Sequence, residues 1–202
     1  VLDSFSMEIT KGEFVFLTGS SGAGKTTILK ILFGQERFEK GQVLVHGINV
    51  GNLTHKNLYT LRRFMGVVFQ DYKLLPNKTV FENVAFAQEV IGRDRKTIQL
   101  KTWEALKSVG LTPKKDTYPA CLSGGEQQRI AIARAMVNEP SIILADEPTG
   151  NLDPDISIEI LKLFEELNKK GTTIVFATHS QEIIKRGEYR IINLSQGKAL
   201  ES

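Results

Sequence analysis

Phe14-Val15-Phe16-Leu17-Thr18 runs directly into Gly19-Ser20-Ser21-Gly22-Ala23-Gly24-Lys25-Thr26, and a helix-like stretch from Lys25 to Phe33 follows, stopped by Gly34. No other segment constrains the fold as tightly. An apolar strand, a glycine-rich turn and a helix in that order fit G-x-x-x-x-G-K-[ST] in the context the pattern requires. Glycines let successive backbone N–H groups turn inward around an anion without Cβ clashes. The helix starting near Lys25 adds its positive dipole end. Lys25 reaches β- and γ-phosphates as a mobile point charge. Thr26 offers a hydroxyl to Mg²⁺, which takes oxygen ligands in an octahedron. An ordinary glycine turn between strand and helix would not need the lysine.

The rest of the chain agrees with an α/β layout around a mostly parallel sheet. Further strands are expected at Gln42–His46, Gly66–Phe69, Ser141–Ala145 and Thr172–Ala177, with a closing hairpin of Arg190–Leu194 and Lys198–Leu200 around Ser195-Gln196-Gly197. Residues from about Thr79 to Leu122 carry helical periodicity and few strand signals. They read as a helical subdomain inserted into a core of about 1–78 and 123–202, in one domain of 202 residues. The basic run Arg93-Asp94-Arg95-Lys96 reads as a solvated loop.

Composition narrows the function. A hydrophobic share of 41% and a charged share of 24% describe an ordinary globular chain, and a net charge of +3 is too small to argue for nucleic acid or an anionic surface. One cysteine, Cys121, excludes an internal disulfide, suits a reducing compartment and is expected to pack as a small buried residue. The apolar runs are a few residues long, far short of the ~20 needed to cross a bilayer. Val1-Leu2-Asp3-Ser4 lacks an initiator Met and a signal-peptide pattern, so the chain is expected to begin inside the natural start.

Ile142-Ile143-Leu144-Ala145 ends in Asp146-Glu147. Ligands of open α/β sheets sit beyond the carboxyl ends of strands. Asp146 is therefore placed to hold Mg²⁺ through a bound water, and Glu147 to accept a hydrogen bond from an attacking water. Two acids at a strand end are otherwise solvated turn residues; the phosphate loop gives them their meaning. His179 closes another strand and could reach the γ-phosphate and the water, whereas His46 and His55 read as incidental. Gln70 ends the strand Gly66–Phe69 and could ligate Mg²⁺. Leu122-Ser123-Gly124-Gly125-Glu126-Gln127-Gln128-Arg129 opens a helix through Val137, with Ser123 and Glu126 in capping-box spacing. Two glycines at that helix start also make a second anion site. Two phosphate sites with one set of chemistry suggest a head-to-tail pair of chains.

Taken in order, the phosphate loop, Gln70, Leu122–Arg129, Asp146-Glu147, Asn151-Leu152-Asp153 and His179 resemble the ATP-binding subunits of ABC transporters over essentially the whole chain. The resemblance implies a P-loop NTPase of the ABC ATPase type that hydrolyses ATP with Mg²⁺. Two copies would sandwich two ATP molecules, each between the Gly19–Thr27 loop of one (Thr27 included) and Ser123, Gly124, Gly125 and Glu126 of the other. It implies Glu147 and His179 as catalytic, Thr26, Gln70 and Asp146 as metal ligands, and Asp153 in the loop that seals the two sites.

Several stretches are most similar to the cell-division branch of the family: Leu61-Arg62-Arg63, Gly66–Asp71, Leu74-Leu75-Pro76, Thr79–Ala85 and Asp146–Pro154. That branch implies a transmembrane partner regulating cell-wall hydrolysis. It also implies a peripheral place on the cytoplasmic face of the bacterial plasma membrane, with membrane contact only through the partner, and a groove at Asp71–Val84 receiving a partner helix. Lipoprotein-release and macrolide-export branches share the Thr-Gly-Asn-Leu-Asp segment and stay open as alternatives. Nucleic-acid-maintenance members need a long coiled coil between the phosphate loop and Leu122–Arg129, the segment resembling the family's signature, and no sustained heptads occur there. Two departures stand out. The chain starts too late to show an adenine-stacking aromatic (Phe5 reads as a core strand residue), and Ser180 replaces the branch's common Asp after His179.

Overall fold

A computed structural model describes residues 5–186, 188–195 and 198–201. The mostly parallel sheet expected from the alternation of strands and helices is present. Its six strands are β1 (Phe14–Gly19), β4 (Met65–Val68), β5 (Ile142–Asp146), β6 (Thr173–Ala177), β7 (Arg190–Ser195) and β8 (Lys198–Glu201), in the order β4-β5-β6-β1-β7-β8. Every pairing is parallel except the last, β7 with β8. The hairpin turn expected at Ser195-Gln196-Gly197 falls largely outside the described residues, since Gln196 and Gly197 are not among them.

The period-2 alternation of strand side chains divides the interior in two. Phe14, Phe16, Val68, Ile143, Ala145, Ile174 and Phe176 face one layer of helices. Val15, Leu17, Met65, Leu144, Val175, Ala177, Ile192 and Leu194 face the other. On the first side pack α5 (Gly124–Met136) and α6 (Pro154–Lys169); on the second lie α1 (Lys25–Leu32) and α2 (Leu58–Arg62). The first side is aromatic: Phe16 meets Phe176 edge-on at 5.5 Å between centroids, and Phe14 stacks on Tyr189 at 4.3 Å. Offset and edge-on pairs of this kind contribute about 0.5–1.5 kcal/mol beyond the area they bury.

Residues 79–122 hold α3 (Val80–Val90), α4 (Arg95–Ser108) and two single-turn 3-10 stretches, with no strand among the described residues. A capping box starts α3: the Thr79 amide donates to Glu82 at 2.7 Å, and the Glu82 amide to the Thr79 hydroxyl at 3.2 Å. These helices pack on each other and on α5, and Val80, Val84 and Leu106 join the first apolar cluster.

Four local readings are corrected. Only Leu44–Val45 of the Gln42–His46 run is a strand (β2). It pairs with β3 (Ile48–Asn49) in a separate ribbon, because His46 (φ 51°) and Gly47 (φ 75°) make a two-residue turn whose positive φ values turn the chain back at once. Arg93-Asp94-Arg95-Lys96 is a helix start, not a loop: Asp94 accepts from the amides of Lys96 and Thr97 and caps α4. Cys121 is exposed. The 3-10 turn Pro119–Cys121 turns Pro119 and Leu122 inward, three residues apart on one face, and so directs Cys121 outward. Phe5 lies outside any strand and packs, half-buried, against the second apolar cluster.

Candidate functional site

The loop after β1 closes around a cavity of about 450 Å³ lined by residues 20–27, Gln70, Glu147 and His179. Gly19 can only be glycine here: φ is 145°, and a Cβ would lie 2.6 Å from the carbonyl oxygen of Leu194 on β7. Gly24, in the left-handed region at φ 107°, turns the chain into α1 with no side-chain cap, which leaves the first-turn N–H groups without intrahelical partners at the cavity. The sequence placed Gly19, Ser20, Ser21, Gly22, Ala23, Gly24, Lys25, Thr26 and Thr27 together, and all but Gly19 line the cavity.

Lys25 is buried, only 7% exposed, and its ammonium is fully engaged. It donates to the carbonyls of Gly19 at 2.8 Å and Ser20 at 3.3 Å and pairs with Glu147 Oε1 at 3.3 Å. The same Oε1 meets Nδ1 of His179 at 2.9 Å. Glu147 Oε2, by contrast, is buried with no partner among the described residues. Glu147 sits at φ 45°, a left-handed conformation unusual for a side-chain-bearing residue and typical of functional positions. Its backbone is fixed on both sides, its amide donating to Ala177 of β6 at 3.0 Å and its carbonyl accepting from Gly150 at 3.1 Å.

Thr26 donates its hydroxyl to Asp146 Oδ1 at 3.0 Å, joining the start of α1 to the end of β5. Burial holds the Asp146 carboxyl above the usual carboxylate range, with the Glu147 charge adding to the shift and the Thr26 hydroxyl opposing it. A hydroxyl, a carboxylate and the amide oxygen of Gln70 form a hard oxygen donor set, which fits Mg²⁺. No group of three or more His, Cys, Asp or Glu able to hold a metal occurs among the described residues.

Ser123, Gly124, Gly125 and Glu126 do not line this cavity, and neither does Asp153. They begin two other helices. Ser123 and Glu126 form the expected capping box, the Ser123 amide donating at 3.0 Å and the Glu126 amide at 3.3 Å. Lys114, bonded to Glu126, lowers its carboxyl below the ordinary range, with the Ser123 amide adding to the effect. A Cβ on Gly125 would lie 2.7 Å from the γ2 methyl of Ile156, and one on Gly124 3.1 Å from the Tyr72 hydroxyl. Asp153 precedes Pro154 at the start of α6 and makes no side-chain cap.

A second cavity, of about 250 Å³, adjoins Glu147 and His179 and runs between Thr149, Ser157 and Glu182. Nothing in the sequence announced it; the sequence predicts that His179 reaches the same water as Glu147, but not the direct contacts Lys25–Glu147–His179, which depend on the neighbouring of β5 and β6.

The ABC transporter family matches residues 2–150. The chain is 49% identical over 199 residues to the cell division ATP-binding protein FtsE of Streptococcus pneumoniae, covering 98% of this chain and 86% of that one. It is 49% identical over 196 residues to FtsE of Bacillus subtilis (97% and 86% covered) and 45% identical over 196 residues to FtsE of Escherichia coli (97% and 88%). Among solved structures it is similar to the ATP-binding cassette MJ0796 in a dimeric post-hydrolysis state with ADP and Pi, at TM-score 0.90, 36% identity, and 100% and 89% coverage. It is also similar to cbiO1 of Clostridium perfringens, from the cbiONQ transporter complex, at TM-score 0.90, 32% identity, and 98% and 80% coverage.

Proposed function

The chain belongs to the ABC transporter family, and we propose that it is an FtsE-type subunit that binds and hydrolyses ATP to drive an FtsX-like transmembrane partner controlling cell-wall hydrolysis during division. Identity of 45–49% to FtsE proteins over nearly the whole chain supports the branch. No helix among the described residues is long and apolar enough to cross a membrane. A peripheral position on the cytoplasmic face of the plasma membrane, held by the partner, accords with that. In this reading the helical stretch 79–122 is a subdomain inserted in the ATPase core, and Asp71–Val84 takes the partner's helix.

One observation carries the chemistry. Glu147 has one carboxylate oxygen tied to Lys25 and His179 and the other buried without a donor among the described residues. A carboxylate fixed in this way, at the wall of a cavity of about 450 Å³ lined by the glycine-rich loop, can accept a hydrogen bond from water and aim its oxygen at the γ-phosphorus. The attacking oxygen bonds to phosphorus, the bond to the β–γ bridging oxygen breaks, and ADP leaves with that electron pair. The water's proton passes by way of Glu147 to the phosphate. Residues 20–27 and Lys25 bind the triphosphate, and His179 holds the Glu147 carboxylate and contacts the γ-phosphate. Thr26, Asp146 and Gln70 would hold Mg²⁺, which when bound neutralises charge on the β- and γ-phosphate oxygens.

Ser123–Glu126 lie outside the cavity of their own chain. They are read as gripping the nucleotide of a second, oppositely oriented copy, with Asp153 at the seam. Hydrolysis removes the γ-phosphate bridging the two copies and lets the dimer relax, which converts chemical free energy into motion of the partner.

The test is Glu147→Gln, which keeps the carbonyl acceptor and the volume but removes the base. ATP binding is expected to persist, turnover to fall by ~10²–10⁴-fold, and light scattering to show an ATP-dependent dimer. Turnover within a factor of two of the parent protein (about 0.4 kcal/mol) would remove Glu147 from this role. Co-purification from detergent-solubilised membranes is expected to recover an FtsX-like protein; a lipoprotein-release permease instead would move the chain to that branch.

A further inference from the structure

Between β4 and α3 the chain passes through two consecutive left-handed residues, Tyr72 (φ 58°) and Lys73 (φ 47°), neither of them Gly or Asn. Such a conformation persists only where the surroundings over-determine it. Local backbone bonds help, the Tyr72 amide donating to Phe69 at 3.2 Å and the Lys73 amide to Asp71 at 2.6 Å, but both carbonyls are held by one distant side chain. Arg134, on the signature helix α5, donates Nη1 to the Lys73 carbonyl at 2.7 Å and Nη2 to the Tyr72 carbonyl at 2.8 Å. It is half-buried, and no salt bridge among the described residues includes it. Its charge is met by these backbone oxygens, and burial pulls the guanidinium below the ordinary arginine range.

A second clamp lies just beyond. The fully buried Asn83 on α3 accepts from the Leu75 amide at 2.8 Å and donates to the carbonyls of Leu75, Lys78 and Thr79 at 2.9–3.1 Å. The segment is thus tied to helices at both ends, and the Tyr72 hydroxyl rests against Gly124 at the start of α5. Gln70, two residues before the Arg134 fork, is on the rim of the nucleotide cavity.

We infer that Arg134 is a positioning residue, which sets the reach of Gln70 into the cavity by locking the Tyr72–Lys73 backbone to the signature helix. The inference rests on the metal-ligand reading of Gln70 given above. It makes α5 a rigid rod with a phosphate-binding start and, near its other end, a grip on the segment carrying Gln70. A shift of the signature helix therefore moves Gln70.

The test measures ATPase activity against Mg²⁺ concentration, Mg²⁺-dependent binding of a fluorescent ATP analogue, melting temperature and amide exchange over residues 70–73. The proteins are Arg134→Ala, Arg134→Lys, Gln70→Ala and the double variant Arg134→Ala/Gln70→Ala. Residues that orient metal ligands from behind cost ~10–100-fold when removed. Arg134→Ala is expected to lower kcat and raise half-saturating Mg²⁺ by ~10-fold, with KM for ATP at saturating Mg²⁺ unchanged and exchange over 70–73 accelerated. In the double variant the Mg²⁺ response is expected to match Gln70→Ala alone. Lysine cannot fork to two carbonyls, so Arg134→Lys is expected to fall between parent and alanine variant; it decides the matter if Arg134→Ala does not fold.

Two failures are separable. If Gln70→Ala leaves the Mg²⁺ response unchanged, the reading of Gln70 is wrong, and this inference goes with it. If Gln70→Ala shifts the response but folded Arg134 variants do not, or if the losses multiply in the double variant, Arg134 is purely a packing residue and the inference is overturned alone.

Discussion

Gly125→Ala separates what the signature helix does for the fold from what it does for the chemistry. Gly125 has an ordinary helical φ, so alanine brings no backbone strain and on intrinsic propensity favours the helix by up to about 1 kcal/mol. The cost is space. The new Cβ would stand 2.7 Å from the γ2 methyl of the half-buried Ile156, well inside the 3.4 Å at which ordinary contact begins. Overpacking of this size costs about 1–3 kcal/mol. The net is a loss of about 0–3 kcal/mol, or roughly 0–12 °C in Tm for a domain of this size. Ile156→Leu removes the offending γ2 methyl at nearly constant volume, so Gly125→Ala/Ile156→Leu is expected to melt close to Ile156→Leu.

Activity is expected to behave differently. If residues 123–125 grip the triphosphate bound to another copy, the methyl introduced by Gly125→Ala obstructs the anion whether or not Ile156 has made room, and phosphate release stays ~10²-fold down in both variants. A mixing assay makes the geometry explicit. Lys25→Ala and Gly125→Ala are each inactive alone, yet a mixed dimer keeps one intact loop facing one intact signature. Equal mixtures are expected to regain about a quarter of the parent's complete sites, since half the dimers are mixed and each holds one. Recovery of full activity with stability in Gly125→Ala/Ile156→Leu, or no complementation on mixing, would refute the two-copy site.

Asp146→Asn removes a carboxylate whose pKa burial raises. Above that raised value the folded state holds the charge at a cost. The cost disappears as pH falls through the folded value towards 3.8, the value for the free side chain. The variant is expected to melt higher than the parent at pH 7, to lose that advantage near pH 4, and to hydrolyse ATP poorly throughout; calorimetry at both pH values checks the sign. Gly66→Ala puts a Cβ 2.4 Å from the backbone oxygen of Ala135, which cannot swing aside as a side chain does. A loss of about 3 kcal/mol or more, seen as a lower urea midpoint, is expected.

The sequence made the site legible where its parts are local. Residues 19–26 declare strand, turn and helix within one stretch, and Ser123 with Glu126 declares a capped helix within four residues. Asp146 and Glu147 were placed correctly at a strand end because an apolar run stops there. What depends on strand order was hidden: the meeting of Glu147 with His179 requires β5 beside β6, and a pattern read along the chain carries no neighbour information. Backbone conformations without their customary residue were hidden as well. Tyr72 and Lys73 take left-handed values with no glycine or asparagine to advertise them, and the arginine that holds them looks like any polar position on a helix. Cys121 was misjudged because hydrophobicity alone does not say which way a single 3-10 turn faces.

The central strand has a consequence for how the protein is made. β1 emerges from the ribosome before both of its neighbours, β6 and β7, which lie roughly 160 and 175 residues downstream, so at ~5–20 residues per second it waits ~8–35 s for them. During that interval a six-residue apolar strand has two bare edges, the circumstance that invites aggregation and chaperone capture. The glycine loop behind it also lacks its floor, because the Leu194 carbonyl against which Gly19 packs has not been synthesised. Nucleotide binding is in this way withheld from the nascent chain until β7 has been synthesised.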